Sequence, residues 1–147
     1  MIYDNTLLFS DAQAVTVTAP STNVIDHGVT GTPVGSSTPL TRDIGIGEEC
    51  VPLSVRVVTA FAGLTSLQVV IQTSADNSTW QDVESSRAVP AAELVAGFQF
   101  HVPNDFPEGL RRRYTRLNYV VVGTATAGAI TAGAVAGRQT NRTVGGA

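Results

Sequence analysis

Two histidines, one cysteine and twelve carboxylates are the groups from which this chain of 147 residues would build a catalytic or metal centre. His27 stands beside Asp26, but neighbours on a strand point to opposite faces, so the two cannot form an orienting pair directly. A dyad of Cys50 with His27 or His101 would supply a nucleophile and a base, yet a lone cysteine in a β domain is more often a packing residue. Cys50 has no partner for an internal disulfide and no CxxC or Cys/His spacing around it, so a reduced, half-buried thiol is expected. Gly45-Ile46-Gly47 raises the question of a phosphate cradle. Such a cradle needs a following helix to aim its N-terminus at the phosphates, whereas residues 51–61 alternate as a strand. The glycines therefore read as a tight turn. Glu48 with Glu49, and Asp82 with Glu84, fall on turns or outward strand positions, where solubility explains them. Asn77 and Asn141 sit in glycosylation sequons, which mean little without a secretory signal. No catalytic residue, cofactor or metal ligand is expected, and no enzymatic activity.

The elements that would position any site are strands. Residues 64–86 anchor the reading: Leu67, Val69 and Ile71 face one way, Gln68 and Gln72 the other, and Asp76, Asn77 and Ser78 supply the turn of a hairpin. In the return strand Trp80 and Val83 have opposite parity, so either a bulge intervenes or the indole lies outside the main core. Residues 51–61 have the cleanest pattern, with Val51, Leu53, Val55, Val57 and Phe61 inward and Ser54 and Arg56 outward. Further strands are expected over residues 12–19, 22–26, 98–102, 110–122 and 125–137. Residues 89–97 suit a single helical turn between Pro90 and Gly97, and residues 31–39 a surface loop. Eight or nine short strands with hardly any helix predict an all-β fold, an antiparallel β-sandwich, with a jelly roll as a good candidate. The length suits a single domain, residues 1–147, with an N-terminal arm over 1–10 and a C-terminal tail over 138–147.

Charge narrows the partners. A net charge of −3 argues against a general nucleic-acid binder, which needs a basic face to displace counterions. No apolar run approaches the ~18 residues of a membrane span, and residues 1–11 lack the pattern of a signal peptide, so a protein made and kept in the cytoplasm is expected. All nine cationic side chains are arginines. Arginine favours bidentate pairing with carboxylates, which suits a protein surface, although a GC-rich genome would give the same bias. Arg111, Arg112, Arg113 and Arg116 form the one conspicuous cluster, read either as a charged sheet edge that blocks aggregation or as a partner patch. The apolar arm with Ile2, Tyr3, Leu7 and Phe9 either packs onto the sandwich or reaches a neighbouring subunit. The small side chains of residues 125–137 would let another backbone or a subunit come close.

The segments DNTLLFSDAQA, STNVIDHG, RDIGIGE, LQVVIQTSADNSTWQDV, LVAGFQFHVP and YTRLNYVVVGTATAGAITAGAVAGRQ, taken in order, resemble the capsid cement proteins of tailed bacteriophages of the Bordetella-phage type. The GTPVGSSTP loop looks like an insertion relative to that pattern. The resemblance implies a jelly roll on the outside of an icosahedral head, clamping neighbouring major capsid subunits without covalent bonds and strengthening the shell. It implies a small homo-oligomer, a dimer before a trimer, with no nucleic-acid or membrane partner and no catalytic residues. Contact residues are expected among Ile2, Tyr3, Leu7, Phe9, Arg111, Arg112, Arg113, Arg116, Arg138 and Arg142. A carbohydrate- or receptor-binding β-sandwich of a tail or spike is the alternative, for which Trp80, Tyr3, Tyr114 and Tyr119 are a thin supply of aromatics. A cupin-like enzyme would need a histidine-rich metal set that the sequence lacks.

Overall fold

Leu53, Val55 and Val57, then Leu67, Val69 and Ile71, turn every second side chain inward, and all six are buried. The structure is a computed structural model that describes residues 3–47 and 50–137. In it both sets lie on one strand, β4 (Leu53–Ser74), in a chain that first lays down β1 (Tyr3–Ala14), β2 (Ala19–Pro20) and β3 (Ile25–Asp26). After β4 come β5 (Gln81–Ser85), β6 (Val89–Pro90), a 3₁₀ turn (Ala91–Glu93) and β7 (Tyr114–Val135). β4 and β7 pair antiparallel along their whole length, from Leu53 opposite Ala134 to Ser74 opposite Tyr114. The seven strands form one antiparallel sheet in the order β1-β7-β4-β5, with β2 and β3 also on β7 and β6 on β4.

The central ribbon is folded over. Ser10 lies opposite Ala132 at one end of β7, yet its hydroxyl is 2.7 Å from the hydroxyl of Tyr119 on the same strand. On a straight strand Tyr119 and Ala132 would be roughly 40 Å apart at ~3.3 Å per residue, so the two halves of the ribbon must face each other. The fold occurs where the β4–β7 register slips, between Val57 and Ser66, with Gly123 at a φ of 89° that other residues rarely adopt. Each flank then crosses from one layer to the other. On the β7 side, Val15 and Thr16 bond Gly128 and Ala125 at the bend on the way from β1 to β2. On the β4 side, Leu94 accepts from Phe61 N–H on the way from β6 to residues 98–105. Between the layers Phe9, Phe61, Leu94, Phe100, Phe106, Leu117, Tyr119 and Ile130 form one cluster.

The expected all-β antiparallel class is the observed one, and its layers form a β-sandwich. Seven strands replace eight or nine because two pairs of expected strands are continuous: 51–61 with 64–73, and 110–122 with 125–137. The expected strand over 12–19 is broken. Hydrogen bonding runs earlier, over β1, and Val17 is exposed as the chain turns at the bend. Residues 98–102 make one isolated bridge, Arg56 to Gln99, rather than a strand. The helical turn is a 3₁₀ turn behind Pro90. The hairpin is as expected: the Asp76 carboxylate accepts from Ser78 and Thr79 N–H and from the Ser74 hydroxyl, and Asn77 takes a φ of 59°. A bulge at Val83 sets Ile71 opposite Glu84 but Gln72 opposite Asp82, which accounts for the parity of Trp80. Val51 precedes β4 and stands exposed, while Ser54 is buried under the Tyr3 hydroxyl that donates to it at 3.0 Å.

Candidate interaction surface

The arginine cluster is the first place to look for a contact surface, and most of it is spent inside the molecule. β7 is an inner strand, flanked by β4 on one side and by β1, β2 and β3 on the other, so a charged sheet edge is the wrong description. The strand begins only at Tyr114, which leaves Arg111, Arg112 and Arg113 on the preceding turn. Arg113 grips Asp26 with two bonds of 2.7 Å, from Nε and Nη2. Arg111 Nε donates to Asp43 at 3.1 Å. Arg116 lies over the Trp80 ring, 4.0 Å from its centroid, and its Nε donates to Gln72, which donates in turn to Asp82. Among the described residues Arg112 alone of the four has no such partner.

These pairs set the acid response. The Arg113 fork and the Gly28 N–H hold Asp26 down to about 2. Burial pushes the Asp43 carboxyl up, but Gly109 N–H, Arg111 and Gly45 N–H outweigh it and the net direction is down. His27 is pushed below 6.5 by burial and by the Arg42 charge, and its Nε2 lies 3.0 Å from the Thr115 hydroxyl. The sign follows from linkage. A carboxylate depressed on folding adds stability that is full above its unfolded value near 3.8 and is lost as pH falls through the folded value. A histidine held neutral costs nothing above 6.5 and removes stability as pH falls below it. Thermal midpoints are therefore expected to be flat above pH 7, to decline gently below 6.5 and to drop steeply between about pH 4 and pH 2. Asp26→Asn should flatten part of that last limb; an unchanged acid limb would show that the Arg113 pair contributes nothing.

The N-terminal residues divide. Phe9, named among the contact candidates in an arm that could equally pack onto the sandwich, is fully buried and packs against Phe106 with ring centroids 6.1 Å apart, at a register slip of β1 on β7 where Leu8, Phe9 and Ser10 are all buried. Leu7 is 40% exposed, as is Val51 across from it. Together with Tyr3, Asp4 and residues 134–136 they line a groove of about 390 Å³. It continues past Leu7, Val51 and Ala134 into a hollow of about 160 Å³ walled by Ile25, His27, Ile44 and Phe106. The close approach expected of the small-residue strand is made by this chain itself, since a Cβ on Gly133 would press on Leu7 and Leu8 of β1. Ile2, Arg138 and Arg142 lie outside the described residues.

On the opposite flank, Ser86, Val89, Phe98, Phe100 and His101 line a hollow of about 420 Å³, with the Arg87–Glu93 ion pair at its mouth. Cys50 is exposed rather than half-buried, because it sits just ahead of the first paired residues of β4. No three His, Cys, Asp or Glu side chains among the described residues gather as a metal would require. No helix among them is long and apolar enough to cross a membrane.

Sequence reasoning missed Arg56, whose Nε is buried without a hydrogen-bond partner. Its outward parity was legible, but not what would lie around it. It also missed Asp43, two of whose three partners, Gly109 and Arg111, come from a distant turn.

Fold and surface together describe a doubled-over β frame whose arginines mostly serve its own loops and which carries an apolar groove at Leu7 and Val51. The Bbp16 family profile matches residues 9–134, which takes in the frame from Phe9 to Ala134. The chain belongs to the Bbp16 family, a family of Bordetella-phage type. No curated protein matches it.

Proposed function

We propose that this protein is a capsid cement, or decoration, protein: it binds the outside of a phage head and clamps adjacent major capsid subunits by non-covalent contacts, with no chemistry of its own. The observation that carries this is membership of the Bbp16 family over nearly the whole β frame. The frame suits the task, since a folded ribbon with one continuous core transmits load between its two ends without a hinge. Many copies, each making modest contacts to two capsomers, add up through effective concentration to a large stabilisation of the shell. The protein is made in the host cytoplasm and acts on the head exterior, as a small homo-oligomer. A sugar-binding role is less well supported, because one face of Trp80 is already occupied by Arg116.

The test is reconstitution. Heads from a phage lacking this gene are mixed with purified protein, and bound protein and DNA release on heating are measured. Saturable binding that raises the release temperature is the expected result. Failure to bind, with bare heads as robust as wild type, would rule the role out.

A further inference from the structure

We propose that Arg56 receives a carboxylate of the partner protein on the outer face of the half-sheet formed by residues 53–59 and 129–135. This rests on the reading that the protein docks on a shell protein and names one anchor of that contact. Arg56 points outward because Val55 and Val57 on either side of it are in the core. Its row across the sheet holds Thr131 on one side and Gln99 on the other, and neither is charged.

The other described arginines, Arg112 apart, are paired. Arg87, Arg111 and Arg113 have carboxylates, Arg42 donates to the carbonyls of Gly28 and His27, and Arg116 has Gln72 and Trp80. Arg112 differs from Arg56 in having no polar atom buried without a partner. At Arg56 the Nε–H has been taken out of water and given nothing, and among the described residues no acceptor meets the guanidinium. A buried donor without an acceptor is a standing penalty, and a methionine would cover the same sheet surface without it. The penalty is removed when an acceptor arrives from outside. A planar fork with one branch already dehydrated fits a carboxylate in two-point contact better than a lone backbone carbonyl. A phosphate backbone is a poor match, because it would call for several cations and this row holds one.

The surroundings suit a contact centre. Two residues before Arg56 the Tyr3 hydroxyl caps Ser54, and two residues after it Val58 is 41% exposed. Arginine and tyrosine are the residue types enriched at the energetic centres of protein interfaces, and Val58 adds apolar area beside them.

Arg56→Met and Arg56→Lys separate binding from folding. Thermal unfolding of the free proteins and binding to heads lacking this protein are measured side by side. The expected result is that R56M unfolds at or above the wild-type temperature yet binds roughly 10- to 100-fold more weakly, while R56K keeps its stability and loses severalfold in binding. Wild-type protein that binds while R56M binds equally well would overturn the role of Arg56 and leave the cement reading standing. Wild-type protein that does not bind at all would remove the cement reading itself. If R56M is destabilised or does not fold, Arg56 is a structural residue unless natively stable R56K shows the binding loss; R56K binding like wild type would then end the proposal.

Discussion

Truncating Phe9 to alanine is expected to lower the unfolding free energy by about 3–5 kcal/mol, because it empties a site enclosed from both layers. Phe9 is 0% exposed, and it stands on β1 between residues of both halves of the folded ribbon. Its ring packs on Phe106, which comes from the far flank, and its carbonyl accepts from Asn23 N–H in the link toward β3. The ring thus lies inside the one core cluster shared by both layers, where the paired strands on either side cannot close on the space without breaking their ladders. For a domain of this size the loss corresponds to a fall of roughly 10–15 °C in the thermal midpoint. The contrast with a surface role is sharp. A solvent-facing contact residue would change stability by no more than about 0.5 kcal/mol and would affect only binding.

The second large effect is expected at Gly45, for a reason that has nothing to do with φ. Residues 42–47 form a strap over the margin of the core, with Ile44 packed against it. The Asp43 side chain is only 5% exposed and accepts from Gly109 N–H at 3.0 Å, Gly45 N–H at 3.2 Å and Arg111 at 3.1 Å. Arg42 ties the other end to the carbonyl of Gly28 at 2.5 Å. Held this way, the strap runs so close to residues 107 and 108 that a Cβ on Gly45 would overlap the carbonyl of Pro107 and the nitrogen of Glu108. Those are backbone atoms and cannot swing aside as a side chain would. Gly45→Ala must therefore lift the strap, strip Asp43 of its donors and draw Ile44 off the core, at a cost of about 2–3 kcal/mol. Limited trypsinolysis reads this directly, since a lifted strap exposes the bond after Arg42. Cleavage there should accelerate tenfold or more in the variant; a wild-type rate would mean that the close approach at Gly45 is not what seats the strap.

The GIG sequence had been legible as a turn, and its setting explains why a glycine belongs at its head. What could not be read from it was the neighbour. Residues 107–109 lie more than sixty positions further along, and nothing local to the turn announces them.

The same division runs through the whole molecule. Alternation at Leu53–Val55–Val57 and at Leu67–Val69–Ile71, together with the Asp76–Asn77–Ser78 turn, determined that this is an antiparallel β protein and that these six side chains enter its core, while the burial of Ser54 and Gln72 on the other face was decided by what packs over them. The first two properties depend on the pleat and on short side-chain-to-backbone bonds, and both act within a few residues. Whether two alternating runs are separate strands or one bent strand, whether β7 is an edge or an inner strand, and whether Phe9 faces a partner or the core depended on which segments lie opposite one another. The arginines show it most plainly. Arg111 and Arg113 look like a patch when counted along the chain, and they cease to be one when Asp43 and Asp26 are brought to them. Arg56 looks like an ordinary outward residue until the folded sheet buries its Nε with nothing to bond. Pairing between distant segments has no signature in local periodicity, because the energy that decides it resides in contacts that exist only once the ribbon has folded over.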